Sequence, residues 1–408
     1  MSGGERRVVV TGLGAVTSIG TGVEAFWRAL LEGRSGISPI ARFETRGAET
    51  HVGGEIQDFD PHVALPPSRV DRYGRASQLA VAAGRLALAD AGLPSRLTEP
   101  GLSVFVGTTM GECQEQERIV EGRLQGDGET LAAAWRKVAD HVLAINLARE
   151  VARDARTRVF PTACAAGNYA IGYGYDEIRA GRASIVIAGG CDAFSRMAFA
   201  GFSRMLSLSP DRCRPFDRDR RGILIGEGAG LLVLESWDHA RARGATPYAE
   251  MLGYGLSCDA HHMTIPHPDG ITAVMRRALA SAGVEPDAVG LVSAHGTGTR
   301  MNDKTESEAI HRVFGERGRT VPVSSIKSML GHTMGAASAL EAVACVMAVR
   351  HDRIPPTINF DTPDPECPID CVPNVMREAH VGVALNNSFA FGGNNAATVF
   401  AAWDDRAG

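Results

Sequence analysis

Residues 159–174, which read VFPTACAAGNYAIGYG, decide the fold of this chain. The apolar start predicts the end of a buried strand, the proline and threonine predict a turn, and the small residues from about Ala165 predict a helix. Gly167, Gly172 and Gly174 lie inside that helix, where each glycine costs about 1 kcal/mol relative to alanine. Because such a helix needs tight packing by its neighbours, we expect it at the centre of the protein.

The same order of elements returns in residues 321–348, VPVSSIKSMLGHTMGAASALEAVACVMA. The helix predicted over 333–349 carries a single charged residue, Glu341. This echo predicts two related halves, each with a central helix pressed between sheets. No Pro- or Ser-rich linker divides the chain, so we expect the halves to share an interface and to join near residues 254–264, which gives halves 1–255 and 256–408.

Apolar strands alternate with helical segments along the rest of the chain. Strands are predicted at residues 7–11, 102–106, 184–189, 229–234, 291–294, 383–386 and 397–400, and helices at 22–31 and 78–91. Continuous apolar strands of this kind are typical of sheets that helices cover on both faces. The sequence therefore predicts an α/β fold.

The composition excludes several classes of protein. With 42 basic and 47 acidic residues the net charge is −5, which excludes a generally basic nucleic-acid binder. The hydrophobic share of 44% argues against a disordered chain, and the aromatic share of 6% disfavours a stacking platform for single-stranded nucleic acid. No run of about 18 apolar residues predicts a membrane span, and no signal peptide precedes the first strand. We therefore expect a soluble cytoplasmic protein.

Cysteine and glycine usage adds two expectations. The eight cysteines contain no C-x-x-C pair, so we expect unpaired thiols in a reducing compartment and no metal site. Glycine makes up 47 of the 408 residues, well above the usual share of about 7%, and its places in apolar segments predict backbones that approach closely. The run VVVTGLGAVTSIG (8–20) imitates a dinucleotide-binding motif, but Thr17 stands where its third glycine belongs, so we expect no nucleotide cofactor.

Cys164 is the candidate nucleophile. It lies where the first small-residue helix begins, and the unpaired amides and the dipole of a helix N-terminus favour a thiolate. The neighbouring alanines leave the sulfur unobstructed. Taken alone this position assigns no function, because most free cysteines are inert core residues.

Two histidines lie at similar strand-to-helix crossings. His295 follows a predicted strand and opens the turn AHGTGT (294–299), where flexible backbone suits a substrate, although strand-end histidines often bond only to backbone. His332 opens the second small-residue helix, and a helix terminus lowers the pKa of a histidine, which keeps the ring neutral and able to donate a hydrogen bond. Together with Cys164 these residues predict a catalytic set.

Lys327 and Glu341 lie in otherwise apolar surroundings, where a charge is costly unless it is paired. We expect an ion pair between them with the lysine close to His332; the alternative is a lysine whose ammonium reaches solvent. Near the C-terminus, the glycine pair of LNNSFAFGGNN (385–395) exposes amides that suit an oxyanion, or else forms only a turn before the last strand.

Together these motifs resemble the β-ketoacyl-acyl carrier protein synthases, the elongating condensing enzymes of fatty acid and polyketide synthesis. The matching segments, in the family's order, are TACAAG (162–167), FDRDRRGILIGEGAG (216–230), AHGTGTRMNDKTE (294–306), KSMLGHTMGAASALE (327–341) and NSFAFGGNN (387–395). The resemblance implies a thiolase-like fold, in which two similar βα halves form a five-layered α-β-α-β-α core, usually as a dimer.

The resemblance also implies a mechanism. Cys164 would accept an acyl chain as a thioester, and His295 and His332 would stabilise the enolate that forms as malonyl carrier protein loses carboxylate. Lys327 and Glu341 would support the histidines.

Further roles implied by the resemblance concern the pocket. The amides of Cys164 and Phe391 would hold the tetrahedral oxyanion, and the Phe391 ring would gate the pocket. The substrate-binding residues would be Thr297 and Thr299 on the phosphopantetheine arm, with Met110, Phe202, Phe389, Gly392 and Gly393 at the pocket. The arm arrives on the carrier protein, so no cofactor or metal is needed.

The implied partners are an acyl carrier protein and either a second copy of the chain or a ketosynthase-like chain-length factor. The segment TPDPECPIDCVP (362–373) resembles polyketide ketosynthase subunits. A thiolase is one alternative, but thiolases use a second cysteine in the final glycine-rich motif, and this chain has none there. A chain-length factor is another alternative, and the presence of Cys164 disfavours it.

Two departures from the family pattern are Ala390, where glycine is frequent, and Asn394, where threonine is frequent; the alanine removes backbone freedom beside the gate. The carrier protein is expected to be acidic, so a chain of net charge −5 must collect arginines locally to meet it. Arginines scattered by codon usage are the alternative, and the candidates for such a patch are Arg69, Arg72, Arg75 and Arg204.

Overall fold

The computed structural model describes residues 6–139 and 141–404. The strands in these residues are β1 (Val8–Thr17), β2 (Gly20–Thr21), β3 (Ser38–Pro39), β4 (Val52–Gly53), β5 (Ser103–Gly107), β6 (Arg156–Phe160), β7 (Ile185–Asp192), β8 (Gly228–Ser236), β9 (Ala249–Cys258), β10 (Leu291–Ser293), β11 (Val323–Ser324), β12 (Arg353–Ile354), β13 (Arg377–Glu378), β14 (Val383–Phe389) and β15 (Asn394–Ala402). The helices are α1 (Val23–Leu31), α2 (Pro67–Val70), α3 (Arg75–Asp90), α4 (Cys113–Gln125), α5 (Gly128–Trp135), α6 (Val142–Val151), α7 (Ala166–Arg179), α8 (Arg196–Arg204), α9 (Trp237–Ala242), α10 (Pro268–Ala282), α11 (Arg300–Phe314), α12 (Lys327–Leu330) and α13 (Ala337–His351).

The long strands form one sheet in the order β11-β10-β14-β15-β9-β1-β8-β7-β5-β6. Its two halves share one topology. In the first half β5 lies parallel to β6 and β7, β7 pairs antiparallel with β8, and β8 pairs antiparallel with β1. In the second half β10 lies parallel to β11 and β14, β14 pairs antiparallel with β15, and β15 pairs antiparallel with β9. The halves meet where residues 8–10 of β1 pair with residues 249–251 of β9. The prediction of two similar halves is confirmed.

Helices cover both faces of each half-sheet. α3 and α6 pack on the outer face of the first half, α10 and α11 pack on that of the second, and α7 and α13 lie between the two halves. The residues of α13 are buried from Ala337 to Val349, as expected for a helix with a sheet on either side. This is the five-layered thiolase-like arrangement, as predicted.

The two central helices begin in the same way. A one-turn 3-10 helix precedes each of them, Ala163–Ala165 before α7 and Met334–Ala336 before α13. The first residue of each turn has a positive φ, 50° at Ala163 and 53° at Met334, which is uncommon for residues other than glycine. The echo seen in the sequence is therefore a repeated backbone kink that aims the start of each helix.

Glycine allows the central helices and strands to approach closely. A Cβ at Gly167 would lie 2.8 Å from Cβ of Ala339, where α7 meets α13. A Cβ at Gly14 would lie 1.9 Å from the carbonyl oxygen of Ala83, where α3 crosses β1. β1 covers residues 8–17 of the run that imitates a dinucleotide motif, with a bulge between Val10 and Gly12, and Gly12 and Gly14 serve the packing of α3.

The division of the chain lies earlier than the sequence suggested. The predicted boundary between residues 255 and 256 falls inside β9, which is the first strand of the second half. Because β9 is the first strand of the second half, the division lies before Ala249, where that strand begins. No helix in the described ranges is long and apolar enough to cross a membrane.

Candidate active site

Cys164 lies in the 3-10 turn between β6 and α7, with its side chain almost completely buried. Its carbonyl oxygen accepts a hydrogen bond from Oγ of Ser388 at 2.9 Å. Ser388 belongs to β14 of the second half, so the nucleophile's turn is fixed across the boundary between the halves. The kink at Ala163 directs the turn, and such strain is typical of positions where a side chain must be aimed.

Burial raises the pKa of the Cys164 thiol to about 12. The nearby Lys327 ammonium lowers the pKa but does not outweigh burial. The expected thiolate at a helix N-terminus therefore does not describe this site, because desolvation of the sulfur opposes the charge. The resting side chain is a thiol that must lose its proton during reaction.

His332 is held as a neutral hydrogen-bond donor. Its Nδ1 accepts a hydrogen bond from the amide of Met334 at 3.0 Å, which leaves the proton of the neutral ring on Nε2. Burial, together with the charge of Lys327, lowers the pKa of His332 to about 3. The structure thus supports the predicted neutral ring, and burial is the main cause of its lowered pKa.

His295 follows β10, and its turn is held by a carboxylate. The amides of His295 and Gly296 each donate to the Glu306 carboxylate at 2.8 Å. Burial lowers the pKa of His295 well below its usual value, with Lys327 and His332 acting in the same direction. Its ring centroid lies 5.7 Å from that of His332, with the planes at 81°.

Lys327 and Glu341 form the ion pair that the sequence predicted, and both side chains are buried. The lysine's further contact is with the first histidine, since Nζ donates to the carbonyl oxygen of His295 at 2.6 Å. Burial raises the pKa of Glu341 to about 7 against the opposing effect of the ammonium. Lys327 thus anchors the His295 turn, and its charge also acts on His332.

The sulfur of Cys164 and a ring nitrogen of each histidine lie within 4.8 Å of one another. One thiol and two neutral imidazole rings therefore converge on the same small region of the site. Cysteine and histidine are also zinc ligands, so the same atoms offer three donors to a thiophilic ion once the thiol has lost its proton.

These side chains open into a cavity of about 510 Å³. The predicted residues that line it are Cys164, Phe202, His295, Thr297, Thr299, His332, Phe389, Phe391 and Gly393. Met110 and Gly392 are not among the residues that line it. The amide of Met110 donates to Asp192 at 2.9 Å, and the amide of Gly392 donates to the carbonyl oxygen of Met263 at 2.8 Å. Lys327 and Glu341 lie behind the cavity wall.

Thr297 and Thr299 present their hydroxyls to the cavity as a pair, 3.0 Å apart. Thr299 also caps α11 by accepting from the amide of Asn302 at 3.3 Å. The spacing follows from the left-handed backbone of Gly298, whose φ is 77°. The pair offers hydroxyl contacts to a polar, extended ligand.

The Phe391 loop closes the opposite wall. The Phe391 ring is 38% exposed and packs on Phe202 with ring centroids 5.6 Å apart. Gly392 and Gly393 both have φ near 80°, whereas Ala390 has an ordinary extended φ of −110°. Alanine in place of glycine therefore causes no strain in this state of the loop.

Asn394, the second departure, begins β15, and its carbonyl accepts from the amide of Ala390 at 3.1 Å. The next residue, Asn395, donates to Asp259 at 2.6 Å. The loop is thus closed by the backbone carbonyl of Asn394, a contact that any residue at this position would make.

Comparison with known proteins agrees with this geometry. Two family models match, the β-ketoacyl synthase N-terminal domain over residues 5–240 and the C-terminal domain over residues 248–361. The chain belongs to the β-ketoacyl synthase family. The family predicted from the motifs is confirmed, and with it an acyltransferase of the condensing type.

Among relatives of this synthase, "3-oxoacyl-[acyl-carrier-protein] synthase 2" of Synechocystis is 41% identical over 97% of this chain and 98% of that protein. The tetracenomycin polyketide synthase ketoacyl synthase alpha subunit of Streptomyces glaucescens is 41% identical over 97% of each chain. The solved structure titled "The ishigamide ketosynthase/chain length factor" has a TM-score of 0.95 and 49% identity over 98% of this chain and 100% of that chain.

Two buried acids of this synthase were missed by reasoning from the sequence. Glu306 holds the His295 turn, and its place at the end of the motif AHGTGTRMNDKTE (294–306) was the available signal. Asp192 accepts from the amides of Thr109 and Met110 and from that of Gly335 at 2.6 Å, so it joins the end of β5 to the turn before α13. An acid that ends the apolar strand 184–192 was the signal for it.

The rim of the cavity was also missed. Exposed apolar side chains surround the opening, and they are Leu206, Met263, Ile265 and Met301. They come from three segments that are distant in sequence, the end of α8, the loop after β9 and the first turn of α11, so no local pattern brings them together.

Proposed function

We propose that this synthase is a β-ketoacyl-acyl carrier protein synthase, which condenses malonyl carrier protein with an acyl group held as a thioester on Cys164. One observation carries the proposal, the convergence of the Cys164 sulfur with nitrogens of His295 and His332 within 4.8 Å. A thioester needs a nucleophile and donors for the charge that develops on its oxygen, and this set supplies both.

The first step is transfer of the acyl chain. The Cys164 sulfur attacks the thioester carbonyl of the acyl carrier protein, the bond to the carrier's sulfur breaks, and the thiol proton passes to that sulfur. Because burial raises the pKa of Cys164 to about 12, the proton must leave as the new bond forms. The amides of Cys164 and Phe391 are the proposed donors to the tetrahedral oxyanion.

The second step is decarboxylation and condensation. The bond to the malonyl carboxylate breaks, CO₂ leaves, and the electron pair forms an enolate whose oxygen accepts hydrogen bonds from the two neutral histidines. The enolate carbon then attacks the acyl group on Cys164, and the cysteine leaves as a thiolate that takes a proton from water. Neither step calls for a metal or a resident cofactor.

The arm of the carrier protein is proposed to lie along Thr297 and Thr299, whose paired hydroxyls face the cavity. Phe391 is proposed to act as the gate, since its ring is part exposed and rests on Phe202. Phe389 and Gly393 complete the pocket near the histidines.

The carrier's docking patch is proposed around Arg69 and Arg72. A second cavity of about 450 Å³ is lined by five arginines, which are Arg69, Arg72, Arg96, Arg136 and Arg149. Arg75 is withdrawn as a candidate, because it is mostly buried and paired with Glu227 at 2.8 Å. Arg204 ends α8 and is exposed close to the rim of the active-site cavity, so it stays a candidate.

Two pathways fit the proposal, fatty acid elongation and type II polyketide elongation. The polyketide alternative, a ketosynthase that acts only with a chain-length factor, is favoured by the likeness to a ketosynthase/chain length factor structure at 49% identity. A cytoplasmic location is part of the proposal, since all eight cysteines, which lie in the described ranges, are free thiols.

Intact mass spectrometry tests the proposal. Incubation with acyl carrier protein should add one acyl group to the protein, and Cys164→Ala should abolish the adduct. Cys258→Ala removes the exposed cysteine and should keep it, because that thiol lies outside the cavity. An adduct that persists in Cys164→Ala refutes the proposal.

A further inference from the structure

One wall of the active-site cavity runs from the buried core to the surface within a short stretch of the chain. His295 is 3% exposed and Thr297 is 5% exposed, whereas Thr299 is half-buried and Arg300 is exposed. All four residues line the cavity. A ligand that lies along this wall therefore has its reacting end at the histidine and its other end at the arginine.

A second arginine stands at the same mouth. Arg221 is exposed and lines the same cavity. The amide of the next residue, Gly222, donates to the carbonyl oxygen of Gly298 at 3.0 Å, so the backbone around residue 221 lies against the turn that leads to Arg300. The two exposed arginines thus come from segments that are distant in the sequence, and the fold brings them to one opening.

A buried arginine fixes the backbone that carries both of them. The Arg220 guanidinium donates to the carbonyl oxygen of Thr299 at 3.4 Å and to that of Arg300 at 3.3 Å. It also pairs with the carboxylates of Asp303, at 3.6 Å, and Asp364. Because these contacts tie residue 220 to residue 300, the backbone positions of the two exposed arginines are set before a ligand binds.

This cluster carries a surplus of positive charge. Within the described ranges, neither Arg221 nor Arg300 forms an ion pair. Asp364, whose pKa Arg300 helps to lower, is bound to Arg220, and Asp303 is paired with the same guanidinium. Three guanidinium groups therefore face two carboxylates, which leaves one positive charge for an anionic ligand.

The order of donors along the wall matches one kind of ligand. From the inside outward the cavity offers the two neutral histidine rings, the paired hydroxyls of Thr297 and Thr299, and the two arginines. The arm of a carrier protein has a thioester at its reacting end, amides along its length and a phosphodiester at its attachment to the protein. A guanidinium is planar and donates parallel hydrogen bonds to phosphate oxygens, so arginine suits the outer end of this arm.

We infer that Arg221 and Arg300 bind the phosphate group of the pantetheine arm at the mouth of the cavity. The inference rests on the proposed function for the kind of ligand, and it adds a subsite that requires positive charge. A phosphate held at the mouth limits how deep the arm can reach, which places the thioester carbonyl beside Cys164 and the histidines.

Titration of the free arm, followed by nuclear magnetic resonance of the ligand, separates the phosphate from the rest of the molecule. Pantetheine and phosphopantetheine differ only by that phosphate, and the wild-type protein should bind the phosphorylated arm about tenfold more tightly in about 50 mM salt. The preference should shrink in about 0.5 M salt, because both arginines are exposed and exposed charges are screened. The assay needs no turnover, so a failure of the proposed chemistry leaves its readout intact.

Two double variants and a control test the role of the arginines. Arg221→Gln/Arg300→Gln should remove the preference for the phosphorylated arm. Arg221→Lys/Arg300→Lys should keep part of it, because an ammonium binds phosphate as a point charge. Arg319→Gln should keep all of it, since Arg319 is exposed and lines neither this cavity nor the cavity around Arg72.

Equal affinity of the wild type for the two arms overturns the inference, as does a preference that survives in the glutamine variant. Near-ultraviolet circular dichroism checks that this variant is folded. If it is not, Arg221→Gln and Arg300→Gln are measured singly, and a wild-type preference in both of them also overturns the inference.

The same phosphate occurs in holo-carrier protein and in coenzyme A, so both are titrated against the glutamine variant. Holo-carrier protein should lose about tenfold in affinity, and apo-carrier protein, which lacks the arm, should lose much less. An equal loss with apo-carrier protein would mean that the arginines meet the carrier's surface, and a loss confined to coenzyme A would assign the phosphate to that ligand. Either result overturns the inference for the carrier-bound arm.

Discussion

The ammonium of Lys327 donates a hydrogen bond to the carbonyl oxygen of His295 at 2.6 Å. Glu306 binds the amides on the other side of the same turn, at 2.8 Å from His295 and from Gly296. His295 is thus held from both sides, by a buried lysine and by a buried glutamate. Lys327 in turn depends on Glu341, its buried partner.

Replacement of Lys327 by methionine should therefore lower both stability and malonyl decarboxylation. Loss of one partner from a buried ion pair destabilises a protein by about 3–5 kcal/mol. Burial already raises the pKa of Glu341 from 4.5 to about 7, and loss of the ammonium raises it further. A group with a raised folded-state pKa loses its stabilising contribution as pH rises from the unfolded to the folded pKa. Both proteins share that loss up to about pH 7, so the deficit of the variant in unfolding free energy should grow only above about pH 7.

The matched control is Lys327→Met/Glu341→Gln. Because it leaves no charge unpaired, denaturant unfolding should show most of the stability restored, whereas decarboxylation should stay low because the His295 carbonyl has no donor. Recovery of decarboxylation in the double variant would contradict the role given to Lys327.

His332 should act as a donor and not as a base. His332→Gln keeps an N–H near the position of Nε2 and should retain more malonyl decarboxylation than His332→Ala, for which we expect a loss of about 10²–10³-fold. Release of CO₂ in the Cys164→Ala background isolates this step from condensation. Equal losses in the two variants would argue for proton transfer by the ring.

The decarboxylation rate should be flat with pH across the neutral range. Burial lowers the pKa of His332 to about 3 and that of His295 well below its usual value, so both rings are neutral in the neutral pH range. The same Cys164→Ala assay measures it. A midpoint near pH 6.5, the ordinary value for histidine, would show that the rings titrate in the working site.

Alkylation of Cys164 by iodoacetamide should speed up with pH without reaching a plateau. Only the thiolate reacts, and burial raises the pKa of this thiol to about 12, so the reactive fraction grows about tenfold per unit between pH 7 and pH 10. Site-resolved mass spectrometry measures the rate. A plateau near pH 8 would mean that the helix terminus outweighs burial.

Arg72→Glu should weaken the use of the carrier protein without changing the chemistry. Arg72 is exposed on the arginine-lined cavity, so charge reversal should raise KM for malonyl carrier protein about tenfold and leave kcat unchanged. Activity on a malonyl thioester of free pantetheine should not change. Arg319→Glu is the control, and an equal effect from it would point to net charge alone.

Local patterns in the sequence located the nucleophile and both histidines. Each of them lies at a crossing from a strand to a helix or turn, and the glycine and alanine around them show in the sequence where backbones pack closely. The order strand, turn and small-residue helix occurs in residues 159–174 and again in residues 321–348, and this repeat indicated two halves. Such a repeat can be seen in the sequence because each of its parts is a local property.

Local patterns do not predict contacts between residues that are distant in the sequence. Lys327 was expected close to His332, and its charge does lower the pKa of that ring, but its hydrogen bond to the carbonyl of His295 was not foreseen. Met110 was expected in the pocket but is not among the residues that line the cavity, and its amide donates to Asp192. The direction of the backbone decides where each side chain of a turn points, and only the packed structure sets that direction.

The sequence by itself determined the strand and helix order, the paired halves and the identity of the reacting groups, because these follow from periodicity and residue chemistry. Tertiary structure decided their charge states. The Cys164 thiol and the His332 ring lie at helix starts, as predicted, and burial keeps both uncharged. For the thiol, desolvation in the packed core outweighs the helix terminus, whereas for His332 the two effects act in the same direction.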